Sequence, residues 1–421
     1  MGPLNRVNGS SPLNTRNASE ESVSGDRQIV TSIRGLTKKG APLPVRARCH
    51  HLMISRRSVL KGAVLSLGAP MINRGRFSLF AQSETEYAAR TVDLVRRSTV
   101  IDMLGLLTLD YSKLLVWEGD PGRFRQADFV RLRDSGTTVF HPAVGYIAGD
   151  IYTESLRDII GWNAFIAAHG EQFQRIGRVA HFKQAKALRK IGILIGQQNS
   201  AHFRTVEDVD RFYDLGQRVS QLTYSGNRIG GGSSDPRDYG LSKYGIQIVE
   251  RMNHLGMAVD ISHCGDRTTM NAIEASRKPV FITHSNCRAL VPSCARCKTD
   301  EAIKHMAATG GVMGITMVRS FVRSAGPVTI EHVLDHFDHL TRLVGVEHAG
   351  IGSDVDLDGR DTRVRPTRRF DLDGIDYAKK VYDLTEGLVR RNYSSRNIEL
   401  ILGGNFERAL TETWAVEAGL A

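Results

Sequence analysis

Eight short runs rich in β-branched and apolar residues alternate with stretches of helical period between residues 99 and 353, and this alternation restricts the possible folds more than any other feature. The runs are Thr99–Leu104, Thr137–Ala143, Ile191–Gln197, Val219–Tyr224, Met257–Ser262, Pro279–Thr283, Gly311–Thr316 and Ala349–Ser353. Segments such as Tyr244–Leu255 and Asp266–Ala275 carry apolar residues at helical spacing, and Leu255-Gly256 and Thr309-Gly310-Gly311 supply helix-ending turns. Eight β-α units over about 320 residues predict an α/β fold, an eight-stranded parallel (β/α) barrel of the TIM type. A doubly wound open sheet is the alternative. No Gly-x-Gly-x-x-Gly follows the first run, and Ile195-Gly196-Gln197-Gln198 is no phosphate loop, so the sequence gives nucleotide binding no support.

Charge separates the chain into two parts. Residues 1–80 hold 13 Lys and Arg against 3 Asp and Glu, so ten of the eleven net positive charges lie there. A basic leader on a nearly neutral body speaks for targeting and against a nucleic-acid surface. Residues 1–52, rich in Ser, Asn, Gly and Arg, read as disordered, and as an extension ahead of the true start at Met53. Residues 53–82 read as a twin-arginine signal. Arg56-Arg57 precedes a mildly apolar stretch, Gly62 to Ile72, too short to span a bilayer, with cleavage near Ala81. The expected partner of the leader is therefore the twin-arginine export machinery, and the expected location periplasmic or extracellular. Residues 83–421 form the barrel domain. Of the five cysteines, Cys49 lies in the leader and Cys264, Cys287, Cys294 and Cys297 in the body; Cys294-x-x-Cys297 is the favoured disulfide by proximity. The spacing of the four matches no closed zinc pattern.

In a parallel barrel the functional side chains project from the C-terminal ends of the strands. His263 closes the run Ala258-Val259-Asp260-Ile261-Ser262, His284 closes Val280-Phe281-Ile282-Thr283, and Asp354 closes Ile351-Gly352-Ser353. Two imidazoles and a carboxylate so placed can hold a divalent metal and manage the proton of a bound water. The sequence around them resembles the membrane (renal) dipeptidase family. Met252-Asn253-His254-Leu255-Gly256-Met257-Ala258-Val259-Asp260-Ile261-Ser262-His263 is similar to its MNxLGMxxDxSH stretch, and Thr283-His284-Ser285-Asn286 with Arg288-Ala289-Leu290 to its HSNxRAL. Gly352-Ser353-Asp354-Val355-Asp356 resembles its GSDFDG turn, and Gly403-Gly404-Asn405 with Arg408 its closing GGNxxR.

The resemblance implies a hydrolase that cleaves dipeptides or a related small amide through a metal-activated water, with two zinc ions in the family pattern. It also shows where this chain departs. Leu104 and Leu106 stand where the family has an early His-x-Asp pair, and Gly196-Gln197-Gln198-Asn199 where it has a bridging Glu. Tyr224-Ser225-Gly226-Asn227 stands where a substrate-contacting His falls. The expected site is therefore one zinc, or another divalent metal, on His263, His284 and Gln197 with Asp354. Asp354 serves also as general base, Arg296 pairs with the substrate carboxylate and Asn227 contacts substrate. A ligand-binding member without catalysis, or isomerase or lactonase chemistry on the retained half-site, are the alternatives. A homodimer is compatible with the fold, but no segment marks an interface.

Overall fold

All eight runs are strands in the computed structural model, which describes residues 76–78, 86–360 and 369–415. Arg56, Arg57, Cys49 and the expected cleavage region around Ala81 lie outside the described residues. Three residues of the expected signal segment, Arg76–Ser78, pair antiparallel with Glu86–Ala88.

The barrel strands are β1 (Ile101–Asp102), β2 (Val139–Phe140), β3 (Ile191–Ile193, continuing as Gly196–Gln197), β4 (Val219–Gln221), β5 (Ala258–Asp260), β6 (Val280–Ser285), β7 (Val312–Ile315) and β8 (Ala349–Ile351). Every pairing among them is parallel. The first piece of β3 pairs with β2 and its second piece with β4, so the sheet closes on itself. A ninth strand, Phe173–Arg175, flanks β3 from outside the ring. These strands read as continuous apolar runs because a parallel barrel buries both of their faces.

Residues paired in register share a face. Ile101, Val139, Val219, Ala258, Phe281 and Val312 belong to one cluster, closed by Phe406 and Leu410 of the last helix, Asn405–Trp414. The Phe281 and Phe406 rings stack with centroids 6.4 Å apart. A larger cluster, including Phe140, Ile193, Val259 and Ile351 of the alternate positions, fills the layer between strands and helices.

The helices follow ordinary sequence logic. In Lys243–Leu255 the Ser242 side chain accepts a hydrogen bond from the Gly245 N–H, and Ile248, Val249 and Met252 are buried on the face turned to the barrel. Gly256 ends it at φ 80°, a left-handed conformation that glycine adopts without steric cost. The turn then delivers Met257 directly into β5, and His263 follows that strand. Among the described residues, no helix is long and apolar enough to cross a membrane.

Candidate functional site

The fold brings His263 and His284 together. Their Nε2 atoms lie 3.0 Å apart at the ends of adjacent strands β5 and β6. Two imidazole ligands on one tetrahedral zinc, with bonds of about 2.0–2.1 Å, would have their nitrogens roughly 3.3 Å apart, so the observed gap is close to that of a chelating pair. The partners of His284 fix which nitrogen is free. Thr283 Oγ1 donates to Asp260 Oδ2 at 2.7 Å, and Ser262 Oγ donates to Asp260 Oδ1 at 2.6 Å. The Thr283 oxygen can then only accept from His284 Nδ1, 2.8 Å away, which leaves Nε2 with its lone pair exposed to His263. Burial holds both imidazoles well below the usual histidine range, and the Arg296 guanidinium adds to it, so both are neutral and able to ligate.

Around the pair the structure differs from the sequence reading. Among the described residues no group of three or more His, Cys, Asp and Glu is arranged to hold a metal ion, and the Asp354 carboxylate faces Arg360. Asp354 stands in a left-handed backbone conformation, φ 57°, and its Oδ1 accepts from Arg360 Nη2 at 2.7 Å. The same guanidinium donates twice to the Asp354 carbonyl, at 2.7 and 3.2 Å. Burial raises the Asp354 carboxyl above its ordinary range, against the opposing pull of Arg360 and Arg296.

Gln197 is not brought to the histidines either. It is in register with Ser220, and its Nε2 donates at 2.6 Å to Asp158 on the helix Ile151–Ala168. Strand alternation is the reason. A Cβ at Gly196 would fall 2.1 Å from His141 Nε2, so position 196 faces His141, which only glycine allows, and Gln197 faces the opposite way. Gln198, two residues beyond Gly196, donates to the Ala143 carbonyl at 2.8 Å.

Arg296 lies buried behind the pair. Its Nη1 and Nη2 donate to the Ser262 and His284 carbonyls at 2.5 and 2.8 Å, and its Nε is buried without a partner. As placed, it braces the two segments that carry the histidines. Asn227 is tied into its own loop, donating to Asn199 Oδ1 at 2.8 Å and accepting from the Ile229 N–H at 2.7 Å. It lines a pocket of about 430 Å³ with Gly226, Asp235, Arg237 and Tyr239. The side chain that reaches the histidines from this segment is Tyr224, whose ring stacks on His263 at 4.2 Å. The four cysteines among the described residues are free thiols, which corrects the expected Cys294–Cys297 disulfide. The two are hydrogen-bonded instead, and this contact pulls Cys294 down to about 6.

Two buried pairs support the site from beneath. Asp102 accepts from the Ser353 N–H at 2.8 Å and the Ser353 hydroxyl at 2.5 Å, with Lys380 Nζ 3.5 Å away, both side chains fully buried. This fixes the end of β8 against β1, where the Asp354 N–H donates to the Leu104 carbonyl at 2.8 Å. Asp158 is the second. Desolvation, then the charge of Glu118, pushes its carboxyl up to about 8. An acid whose folded value is raised holds a proton that the unfolded chain has released, so stability falls as pH rises from about 4 to about 8. Asp158→Asn should therefore flatten the pH dependence of the melting temperature and raise it by several degrees at pH 8. An unchanged melting profile between pH 5 and 8 would show that this carboxyl ionises normally.

With this geometry in view, comparisons with known proteins place the chain. The family model for membrane dipeptidase (peptidase family M19) matches residues 88–421. The chain belongs to the membrane dipeptidase family. Among relatives of this family, dipeptidase verJ of Clonostachys rogersoniana is 34% identical over 225 residues, 52% of this chain and 55% of that protein. The chain thus spans about half the length of the curated relatives it matches. An amidohydrolase from Pseudomonas aeruginosa shares the barrel at a TM-score of 0.67 and 27% identity, over 77% of this chain and 99% of its own. A metallo peptidase from Rhodobacter sphaeroides, solved with a phosphinate mimic of the dipeptide L-Ala-D-Ala, has the same fold at TM-score 0.63 and 19% identity, over 75% and 99%. Leu104 and Leu106 are both buried, and the Leu104 carbonyl accepts from the Asp354 N–H.

Proposed function

We propose that the chain is a metal-dependent hydrolase of small amides, dipeptides foremost, working with one divalent ion held by His263 and His284. The observation that carries this reading is the 3.0 Å approach of two neutral Nε2 atoms, one of them with its lone pair fixed outward by the Thr283–Asp260 relay. Membership of the dipeptidase family and the names of its relatives support the substrate class. The residues present fit one such ion and not two, because Leu104 and Leu106 offer no donor atoms and Asp354 is engaged by Arg360. Imidazole donors suit zinc first, and such an ion would polarise an amide carbonyl and acidify a water.

The remaining work falls to the protein. Asp354, raised by burial above the ordinary carboxylate range, is suited to take a proton from the attacking water and return it to the leaving amine. Arg360 holds that carboxylate in one orientation. Tyr224, stacked on His263, shields one face of the imidazole from solvent. Arg296 acts as a positioning residue through the carbonyls of Ser262 and His284.

The test is a zinc-loaded preparation assayed against a panel of dipeptides of both C-terminal configurations, with Asp354→Asn alongside. Metal-dependent cleavage is expected, with kcat lowered about 100- to 10,000-fold in the variant while its metal content is unchanged. Failure to retain any metal, together with no cleavage of any amide, would refute the proposal.

A further inference from the structure

The half of the centre that lacks metal ligands is not empty of charge, and we infer that the Arg360 guanidinium occupies it as a built-in cation. Three observations converge. Leu104 and Leu106 stand at the end of β1, joined to β8 by the Asp354 N–H bond to the Leu104 carbonyl and by the parallel bridge between Gly105 and Val355. Of the two carboxylates there, Asp102 is paired with Lys380 at 3.5 Å and Asp354 with Arg360 at 2.7 Å. That guanidinium is not a loose surface group. It makes three hydrogen bonds to Asp354, and the backbone N–H of Arg360 donates to Asp371 Oδ1 at 2.8 Å, which fixes the main chain from which the side chain reaches back.

Its position is electrically part of the site. Arg360 opposes the burial-driven rise in Tyr111 and in Tyr224, whose ring stacks on His263. Replacing two ligands by leucine would leave an anionic Asp354 buried without a counter-charge, which costs several kcal/mol. Arg360 supplies that counter-charge permanently. A planar guanidinium also keeps N–H donors that a carboxylate or developing oxyanion of a bound substrate can share, a role a lone buried carboxylate cannot fill.

The setting of this inference rests on the metal-centred reading above, but its test counts metal rather than turnover. The full chain is compared with Arg360→Met, with Leu104→His plus Leu106→Asp, and with all three substitutions together. Each is saturated with zinc, desalted and analysed for its metal content after circular dichroism has confirmed folding. The wild type, Arg360→Met and the double variant should each hold no more than one equivalent, and the triple variant one more. A further equivalent in the double variant, with Arg360 still present, would overturn the inference, as would no gain in the triple. Should the leucine replacements fail to fold, Arg360→Glu decides in their place. A second carboxylate beside Asp354 should then draw in one additional zinc, and no gain would count against the guanidinium as the occupant. Absence of hydrolysis in every variant would end the hydrolase reading and leave this one standing.

Discussion

Replacing His284 with alanine should strip the metal from the chain, weakening its affinity by more than about 100-fold, while the barrel remains folded. The expected size follows from the ligand count. The proposed ion rests on two imidazoles, so removing one leaves a single neutral donor that cannot compete with water for a divalent ion. The fold should survive because Thr283 Oγ1 keeps its bond to Asp260, and the site lies at the strand ends, away from the Phe281–Phe406 layer. A graded control is Thr283→Val, which removes the acceptor for His284 Nδ1 but leaves both ligands. It should weaken metal binding about 10- to 100-fold. Titration with a competing chelator measures both. Equal affinity in His284→Ala and wild type would place the metal elsewhere.

Lys380→Met should be the most destabilising single change beneath the site, at about 3–5 kcal/mol, because it leaves Asp102 as a buried carboxylate without its cation. Burial lowers the Lys380 ammonium, and Asp102 and Asp356 hold it up, so the pair persists only while both members are present. The double variant Asp102→Leu with Lys380→Met should recover most of the loss, since removing both charges is far less costly than stranding one. Urea denaturation of the two singles and the double gives the cycle. A loss under about 1 kcal/mol for Lys380→Met would mean water or another group compensates Asp102. Because Ser353 bonds to Asp102 and precedes Asp354, the single variants should also loosen the Asp354–Arg360 pair.

The strands were legible because burial on both faces leaves uninterrupted apolar runs such as Val280-Phe281-Ile282. The exception, Phe173–Arg175, has only one fully buried residue and sits outside the ring, so no such run marks it. His263 and His284 were legible for a related reason: a polar residue that closes an apolar strand is placed by the fold at the barrel mouth. The side assignment of Gln197 was not. Deciding between two adjacent glutamines needs the register of β3, which the close approach of Gly196 to His141 sets and composition does not reveal. Arg360 and Lys380 were beyond reach for a different reason. The Lys380 side chain acts on Asp102, far off in the chain, and Arg360 folds back on Asp354 across a turn whose path nothing local in Asp358-Gly359-Arg360 records.

The Arg360–Asp354 pair bears on how the protein matures. A centre built on two ions passes through a half-loaded form, in which one ion is bound and the other awaited, and its readiness depends on the supply of free metal twice over. On the single-ion reading proposed above, a guanidinium stands in for the second ion, and that half is complete as soon as the chain folds. Only one loading event then separates the new barrel from its finished state, and its dependence on metal supply is first order.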